Sequence, residues 1–557
     1  MFLLLILIFV PNFLLAVAQD VYVTIPNGAI KGRTEYSSRK ISFHAFQQIP
    51  FAKPPIGDLR FADPQPAEKW EGVLDATKNT KMCFQQGNMF RIDNLLELEN
   101  EDCLYLNVYR PKYVSENSSL PVMFYIYGGG FVNGAGNFDF FGPHYLMEND
   151  VIVVTSNYRV GPFGFLTTGD LTITGNFGLK DQLLAMEWVK DNIRYFGGDP
   201  QKVTIFGQSA GAASVSFHLM SKKSKGLFRA AIAQSGSSLS PWAYQREYKN
   251  IAYELASTLD ANFKVSSDSK ELLAFLRGKP ALDINTVAAN FKQGIGNEQI
   301  IQGFWFTPVI EPNHDNAFIS KNMYETVKNG DMNRVPLMIG ITSEEAIARA
   351  ADAKFKSRVQ QYENDLQRLV NKNMHIKDET KKRQVGDAIR KIYTNGLLQD
   401  DLGKALRYFS DMSFNRAVIT HAKLQSAFSD VYFYQFSYHG PMGGNRPALD
   451  GAFKVGHAED NHYLWSSMNH TLLDKYPQID IDTSNKFRAL FSNFAKYLNP
   501  TPKQLDLFNN IIWPTVKPND FQYLDINETL SIRTDPKGDV YSKWVDIYQT
   551  YAISPLD

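Results

Sequence analysis

The chain has 557 residues, enough to bury a large core, and its 58 Lys and Arg balance its 58 Asp and Glu to a formal net charge of zero. That balance leaves no electrostatic footprint for a nucleic acid or a polyanionic substrate. An aromatic share of 13% supplies material for an apolar pocket as well as for ordinary core packing.

The chain opens on an apolar segment from Met1 to Val10 that continues to Ala16-Val17-Ala18, ahead of Gln19-Asp20. Small residues at Ala16 and Ala18 fit signal-peptidase cleavage after Ala18. The start carries no Lys or Arg and Pro11 interrupts the run, so an uncleaved anchor is the alternative. No later stretch is apolar for long enough to span a bilayer, and the C-terminus Ile553-Ser554-Pro555-Leu556-Asp557 is neither a retention signal nor an anchor tail. The expectation is a leader over 1–18 and a secreted, extracellular protein without a membrane anchor. Sequons at Asn117, Asn469 and Asn527 agree with a glycosylating secretory route. The two cysteines, Cys83 and Cys103, can form one disulfide in an oxidising compartment; the alternative is two free thiols. Two cysteines with no histidine nearby make a poor zinc site, and neither a metal nor a cofactor is expected.

Strand-like and helical runs alternate through the chain. Leu120–Ile126, Val151–Thr155 and Lys202–Phe206 read as strands, followed by Ala230–Gln234, Val335–Ile339 and Val431–Phe436. Between the second and third, the run from Asp181 reads as a helix with Leu184, Trp188, Val189, Ile193 and Phe196 on one face, stopped by Gly197-Gly198-Asp199-Pro200. Nearly continuous apolar strands joined by crossover helices imply an α/β fold with a large, mostly parallel sheet. The section from Ala346 to Asp430 is charge-rich and helical in pattern, with Lys377–Arg383 reading as a solvated helix face. No linker, repeat or low-complexity tract divides the chain, so 19–557 reads as one domain with inserted helices.

Chemistry concentrates in four places. Gly207-Gln208-Ser209-Ala210-Gly211 follows the β-branched run Val203-Thr204-Ile205, the sequence form of a nucleophile elbow; a bare match to five positions can equally be a structural turn. Upstream, Tyr127-Gly128-Gly129-Gly130-Phe131 follows a strand, and consecutive glycines let backbone N–H groups point into a cavity. Gly129 and Gly130, joined by the N–H of Ala210, are the candidate oxyanion donors. Among ten histidines, His457 in Val455-Gly456-His457-Ala458-Glu459-Asp460 sits on a glycine-marked loop late in the chain, where a general base belongs. The orienting acid falls between serine and base: Gly340-Ile341-Thr342-Ser343-Glu344-Glu345 offers two adjacent glutamates.

With these motifs in this order the chain resembles the type-B carboxylesterase/cholinesterase family, within the α/β-hydrolase fold. Glu101-Asp102-Cys103-Leu104-Tyr105-Leu106-Asn107-Val108 matches the family's second signature, and Pro54–Phe61 and Asn157–Gly161 match further segments. The resemblance implies structural ion pairs Arg60–Glu101 and Arg159–Asp181 and a Cys83–Cys103 disulfide. It assigns the triad to Ser209, His457 and Glu345, although the family's glycine after the acid is Ala346 here. It further implies a serine carboxylesterase that acts on a small-molecule ester through an acyl-enzyme.

Cholinesterases place a tryptophan between the matching cysteines and a glutamate before the serine. Residues 84–102 contain no tryptophan and position 208 is Gln, so a quaternary ammonium loses both the aromatic face and the negative charge that would hold it. Neutral, largely apolar esters are the expected substrates. The form Gly-Gln-Ser-Ala-Gly resembles that of insect juvenile hormone esterases and related secreted insect esterases, so a juvenile hormone, odorant or pheromone ester is the narrower alternative. Trp242, Trp305 and Phe306 lie where the family builds its acyl pocket. The rivals are a non-catalytic cholinesterase-like adhesion protein, which would lack a triad member and carry a membrane span, and a peptidase or lipase on the same fold.

Overall fold

A computed structural model describes residues 20–553 apart from 88–91, 93, 247, 265–266, 292–302, 445–446, 448 and 467–472. The 1–18 leader and the Asn469 sequon lie outside the described residues. Asn117 is exposed and Asn527 half-exposed.

A run such as Val122-Met123-Phe124-Tyr125-Ile126 has no polar face to turn to water, so it is stable only inside a sheet covered on both sides. All five residues are buried in the middle of one. Strands β1 (Asp20–Ile25), β2 (Gly28–Tyr36), β3 (Ser42–Pro50) and β4 (Val73–Asp75) build one edge, while β5 (Met82–Cys83) and β6 (Glu99–Asn100) form a separate pair. The main sheet continues with β7 (Tyr105–Pro111), β8 (Leu120–Ile126), β9 (Ile152–Ser156), β10 (Gly198–Gln208), β11 (Ala230–Gln234), β12 (Leu337–Thr342), β13 (Val431–Phe436), β14 (Gln522–Ile526) and β15 (Leu530–Thr534). Its order is β1-β2-β3-β7-β9-β8-β10-β11-β12-β13-β14-β15, with β4 beside β2. From β9 to β14 every neighbouring pair is parallel. The antiparallel pairs lie toward the edges.

The expected strands at 120–126, 230–234 and 431–436 keep their bounds, whereas the strand read at Val335 begins at Leu337. The helix read from Asp181 begins at Phe177 and runs to Asn192, and one 3-10 turn, Ile193–Phe196, ends on Gly197 at φ 82°. Asp199 and Pro200, read as part of the helix stop, belong to β10. Trp188, Val189, Ile193 and Phe196 are buried as the periodicity requires, but Asp181, Gln182, Ala185 and Met186 are buried as well. More than one face of this helix is covered, which a single amphipathic stripe does not convey.

The section after β12 is helical as expected: Phe355–Asn364, Glu379–Tyr393 and Leu402–Ser410 pack with the C-terminal helix Gly538–Tyr551 around an apolar cluster of their own, including Val359, Ile389, Phe409 and Trp544. Asp378 caps the second of these by accepting from the Lys381 N–H. Among the described residues no helix is long and apolar enough to cross a membrane.

Three cross-braces tie the loops to the sheet. Cys83 and Cys103 are disulfide-bonded across 20 residues. Arg60 makes a fork with Glu101 at 2.7 and 2.6 Å and donates to the carbonyls of Leu276, Arg277 and Lys279. Arg159 makes the same fork with Asp181 at 2.8 and 2.7 Å, and its own N–H adds a third bond at 2.9 Å. Both partners of this second pair are buried, so removing one strands a charge away from water. Asp181→Ala is expected to lower the free energy of unfolding in urea by about 3–5 kcal/mol, and the double change Arg159→Met with Asp181→Leu to recover part of that loss.

Candidate active site

Strand β10 ends at Gln208 and the helix Ala210–Met220 begins two residues later, so Ser209 alone turns the chain. Its backbone sits at φ 58°, ψ −121°, a conformation that costs a side-chain-bearing residue on the order of 1–3 kcal/mol. Neighbours hold it there: the Ser209 N–H donates to the Gln234 carbonyl at 2.8 Å and its own carbonyl accepts from the Ala213 N–H at 2.9 Å. The glycines on either side serve close approach. A Cβ on Gly211 would lie 2.0 Å from the Ile126 carbonyl oxygen, and one on Gly207 would lie 2.6 Å from the Gly211 backbone. Gly236 and Gly128 complete the clamp, since their Cβ atoms would meet the Ser209 carbonyl oxygen at 2.3 Å and the Ser209 Cβ at 3.0 Å.

The same Gly128-Gly129-Gly130 run faces the serine. Gly129 and Gly130 take φ of 120° and 63°, and their N–H groups make no hydrogen bond to a described residue. Ala210 is the first residue of its helix, so its N–H has no intrahelical acceptor. These are the three donors singled out from the sequence.

His457 and Glu345 meet. The imidazole Nδ1–H donates to Glu345 Oε2 at 2.7 Å, and the His457 backbone N–H donates to the Glu345 carbonyl at 3.1 Å. The other carboxylate oxygen accepts from the Thr342 N–H at 2.8 Å, which fixes the Glu345 side chain. A proton held on Nδ1 leaves Nε2 as an acceptor, and the side-chain amide of Gln208 donates to it at 3.1 Å. Glu344 faces elsewhere: its carboxylate accepts from Ser410 Oγ at 2.6 Å and the Phe453 N–H at 3.2 Å, and burial raises its pKa. Ala346, at φ −90°, needs no glycine. Of the two glutamates, Glu345 is the one hydrogen-bonded to His457.

A chain of aromatic rings leads away from His457. The Phe414 ring stands 4.3 Å from that of His457 and 5.7 Å from Trp242. Trp242 also neighbours Phe131 and Phe304, at 6.4 and 6.5 Å. Trp305 and Phe306 pack on Phe291 instead. Phe304 is the member of that triplet nearest the Gly128-Gly129-Gly130 run, 3.4 Å from where a Gly130 Cβ would stand. Among the described residues no group of His, Cys, Asp or Glu is arranged to hold a metal ion.

The sequence profile of the carboxylesterase family matches residues 19–544. The chain belongs to the carboxylesterase family. It is 34% identical to the juvenile hormone esterase of Tribolium castaneum over 90% of this chain and 87% of that protein. It is 32% identical to venom carboxylesterase-6 of Apis mellifera over 93% and 92% of the two. Its fold matches the crystal structure of juvenile hormone esterase from Manduca sexta, with OTFP covalently attached, at a TM-score of 0.83 and 27% identity, covering 95% of this chain and all of that one. The esterase therefore has the α/β-hydrolase fold and is a carboxylic ester hydrolase.

The sequence reading missed Phe304, Phe414 and Asp460. Asp460 follows His457 by three residues and is fully buried, accepting from Gln234 Nε2 at 2.9 Å and from the Tyr434 hydroxyl at 3.1 Å. Burial, reinforced by the nearby Glu345 charge, pushes its pKa up from 3.8 to about 6. A carboxyl whose folded pKa is raised favours the fold while protonated, and that contribution is lost as pH rises from its unfolded value through about 6. Two units correspond to about 3 kcal/mol. Asp460→Asn is therefore expected to gain stability over the parent by about that amount between pH 4 and pH 7.5, read from paired urea titrations.

Proposed function

We propose that the esterase is a secreted serine carboxylesterase, a single catalytic domain with inserted helices. In this reading Ser209 is the nucleophile, His457 the general base, Glu345 the orienting acid, and Gly129, Gly130 and Ala210 form the oxyanion hole. The observation that carries the reading is the 2.7 Å bond between His457 and the fully buried Glu345, beside a serine held in a left-handed turn. His457 Nε2 takes the hydroxyl proton as Ser209 attacks the ester carbonyl, once the Gln208 amide yields its place. Glu345 holds the tautomer and stabilises the imidazolium. The three N–H groups donate to the developing oxyanion, each supplying about 3–4 kcal/mol in the transition state. The protonated imidazole then gives its proton to the departing alcohol, and water activated by the same base releases the acid.

The walls favour neutral, apolar esters: Phe131, Trp242, Phe304 and Phe414 ring the serine side of the site, and the residue before the nucleophile is an amide. Trp242 and Phe304 are the side chains we assign to the acyl side. A juvenile hormone ester is the narrower reading, favoured by the likeness to the beetle enzyme.

Ser209→Ala is expected to lower kcat by roughly 10⁴-fold or more with the fold kept, and to abolish labelling by an organophosphate. Glu345→Gln is expected to cost about 10⁴-fold in kcat while Glu344→Gln keeps most of it; the opposite ranking reverses the assignment. Against a panel pairing choline acetate with its neutral isostere 3,3-dimethylbutyl acetate, kcat/KM is expected to favour the neutral ester. A preference for choline would defeat the substrate reading.

A further inference from the structure

A cavity of about 410 Å³ opens between the helix Arg416–Gln425 and the C-terminal helix Gly538–Tyr551, away from Ser209 and His457. Its size lies within the range of about 300–1,000 Å³ usual for small-molecule sites. Thr420 and Leu424 line it at helical spacing from one helix, and Tyr541, Trp544, Val545 and Tyr548 from the other.

One lining residue is out of keeping with an ordinary groove. The Arg416 guanidinium lies 4.3 Å over the Tyr548 ring, yet its Nε and Nη2 are buried without a hydrogen-bond partner, and no carboxylate pairs with it among the described residues. Buried donors without acceptors are destabilising, the more so when charged. Two further cations line the cavity, Lys328 and Lys423. The only lining carboxylate among the described residues, Glu325, is 3.7 Å from Lys328 and so already partnered. Three cations against one carboxylate leave a surplus of two positive charges over aromatic and aliphatic walls. A planar guanidinium matches a carboxylate, which can accept two of its N–H groups in a fork once the side chain turns its enclosed edge to the cavity.

We propose that this cavity is a second binding site, for an aliphatic carboxylate whose head group rests on Arg416 and whose chain lies between Leu424 and Val545. The acid released by carboxylic ester hydrolysis is a molecule of this class, so the products of the esterase are themselves candidates. Arg416 directly follows the π-helical turn Asp411–Asn415, which carries Phe414 against His457 and whose Ser413 carbonyl accepts from Trp242 Nε1 at 2.8 Å. The proposed site is thus joined by one continuous backbone segment to the rings around the catalytic base.

The test is calorimetric titration of the full enzyme, organophosphate-blocked at the serine, with decanoate, decan-1-ol and acetate. Decanoate is expected to bind, decanol at least tenfold more weakly, and acetate undetectably. Arg416→Gln is expected to weaken decanoate at least tenfold and decanol little. Val545→Trp, which fills the cavity from the other helix, is expected to abolish binding, and it decides the matter should the Arg416 variant fail to fold. No binding of decanoate to the parent enzyme, equal affinity for decanol, or unchanged affinity in a folded variant would each overturn the proposal. Protein that resists labelling counts against the assigned serine instead, and the same comparison of parent and variants on unblocked enzyme still decides the cavity.

Discussion

The arrangement of the site depends on the backbone of one residue. Ser209 passes from strand to helix at φ 58°, and the structure permits this because four neighbouring positions have no Cβ. Gly207 and Gly211 let the elbow close on the end of β8, while Gly128 and Gly236, from the loops after β8 and β11, close over the serine from both sides. β8 and β11 are the two sheet neighbours of β10, so three adjacent parallel strands deliver their C-terminal ends to one point. That is where an open α/β sheet leaves a crevice. The local strain is offset by a core in which β8 to β12 are almost wholly buried.

Buried charge provides the second constraint. Two consecutive glutamates follow β12, and the chain sends them to different places: Glu345 to His457 and the Thr342 N–H, Glu344 to Ser410 and Phe453. The first remains with the sheet, and the second anchors the inserted helices, whose apolar cluster begins at Ala346 and Ile347. Lys537, just before the C-terminal helix, donates to the carbonyl of Ser343 at 2.8 Å and so pins the same loop from outside. The geometry of the acid is therefore set by the docking of the insertion as much as by the strand that carries it.

What could be read from the sequence was whatever local pattern determines. Continuous β-branched runs have one solution in a two-sided sheet, and the glycine-flanked serine, the glycine run and the glycine-marked histidine each announce a special backbone. Among the boundaries that moved, those at Val335 and Asp199 lie where strand ends are set by neighbouring strands rather than by composition. The resemblance singles out Trp305 and Phe306. In the structure their rings pack on Phe291, while the Phe304 ring lies 6.5 Å from Trp242, a difference within one irregular loop that residue types do not convey. Phe414 lies on a helical segment 43 positions before His457 in sequence, in a π-turn that no periodicity reveals. Asp460 was in plain view three residues after the histidine. Only its burial against Gln234 and Tyr434 sets it apart from a solvated acid.

Gln208 joins the end of β10 to the His457 ring. Its amide donates to the Nε2 lone pair of His457, an interaction available only to the neutral imidazole. A carboxylate at the same place would favour the imidazolium instead, since an opposite charge within a few ångströms stabilises the charged form. Such a charge would also attract a cationic group to the wall beside the serine. With an amide there, that wall presents dipoles and aromatic faces without net charge. The one side chain is therefore consistent, by the same absence of charge, with both the bond to a neutral imidazole and the neutral ester proposed as substrate.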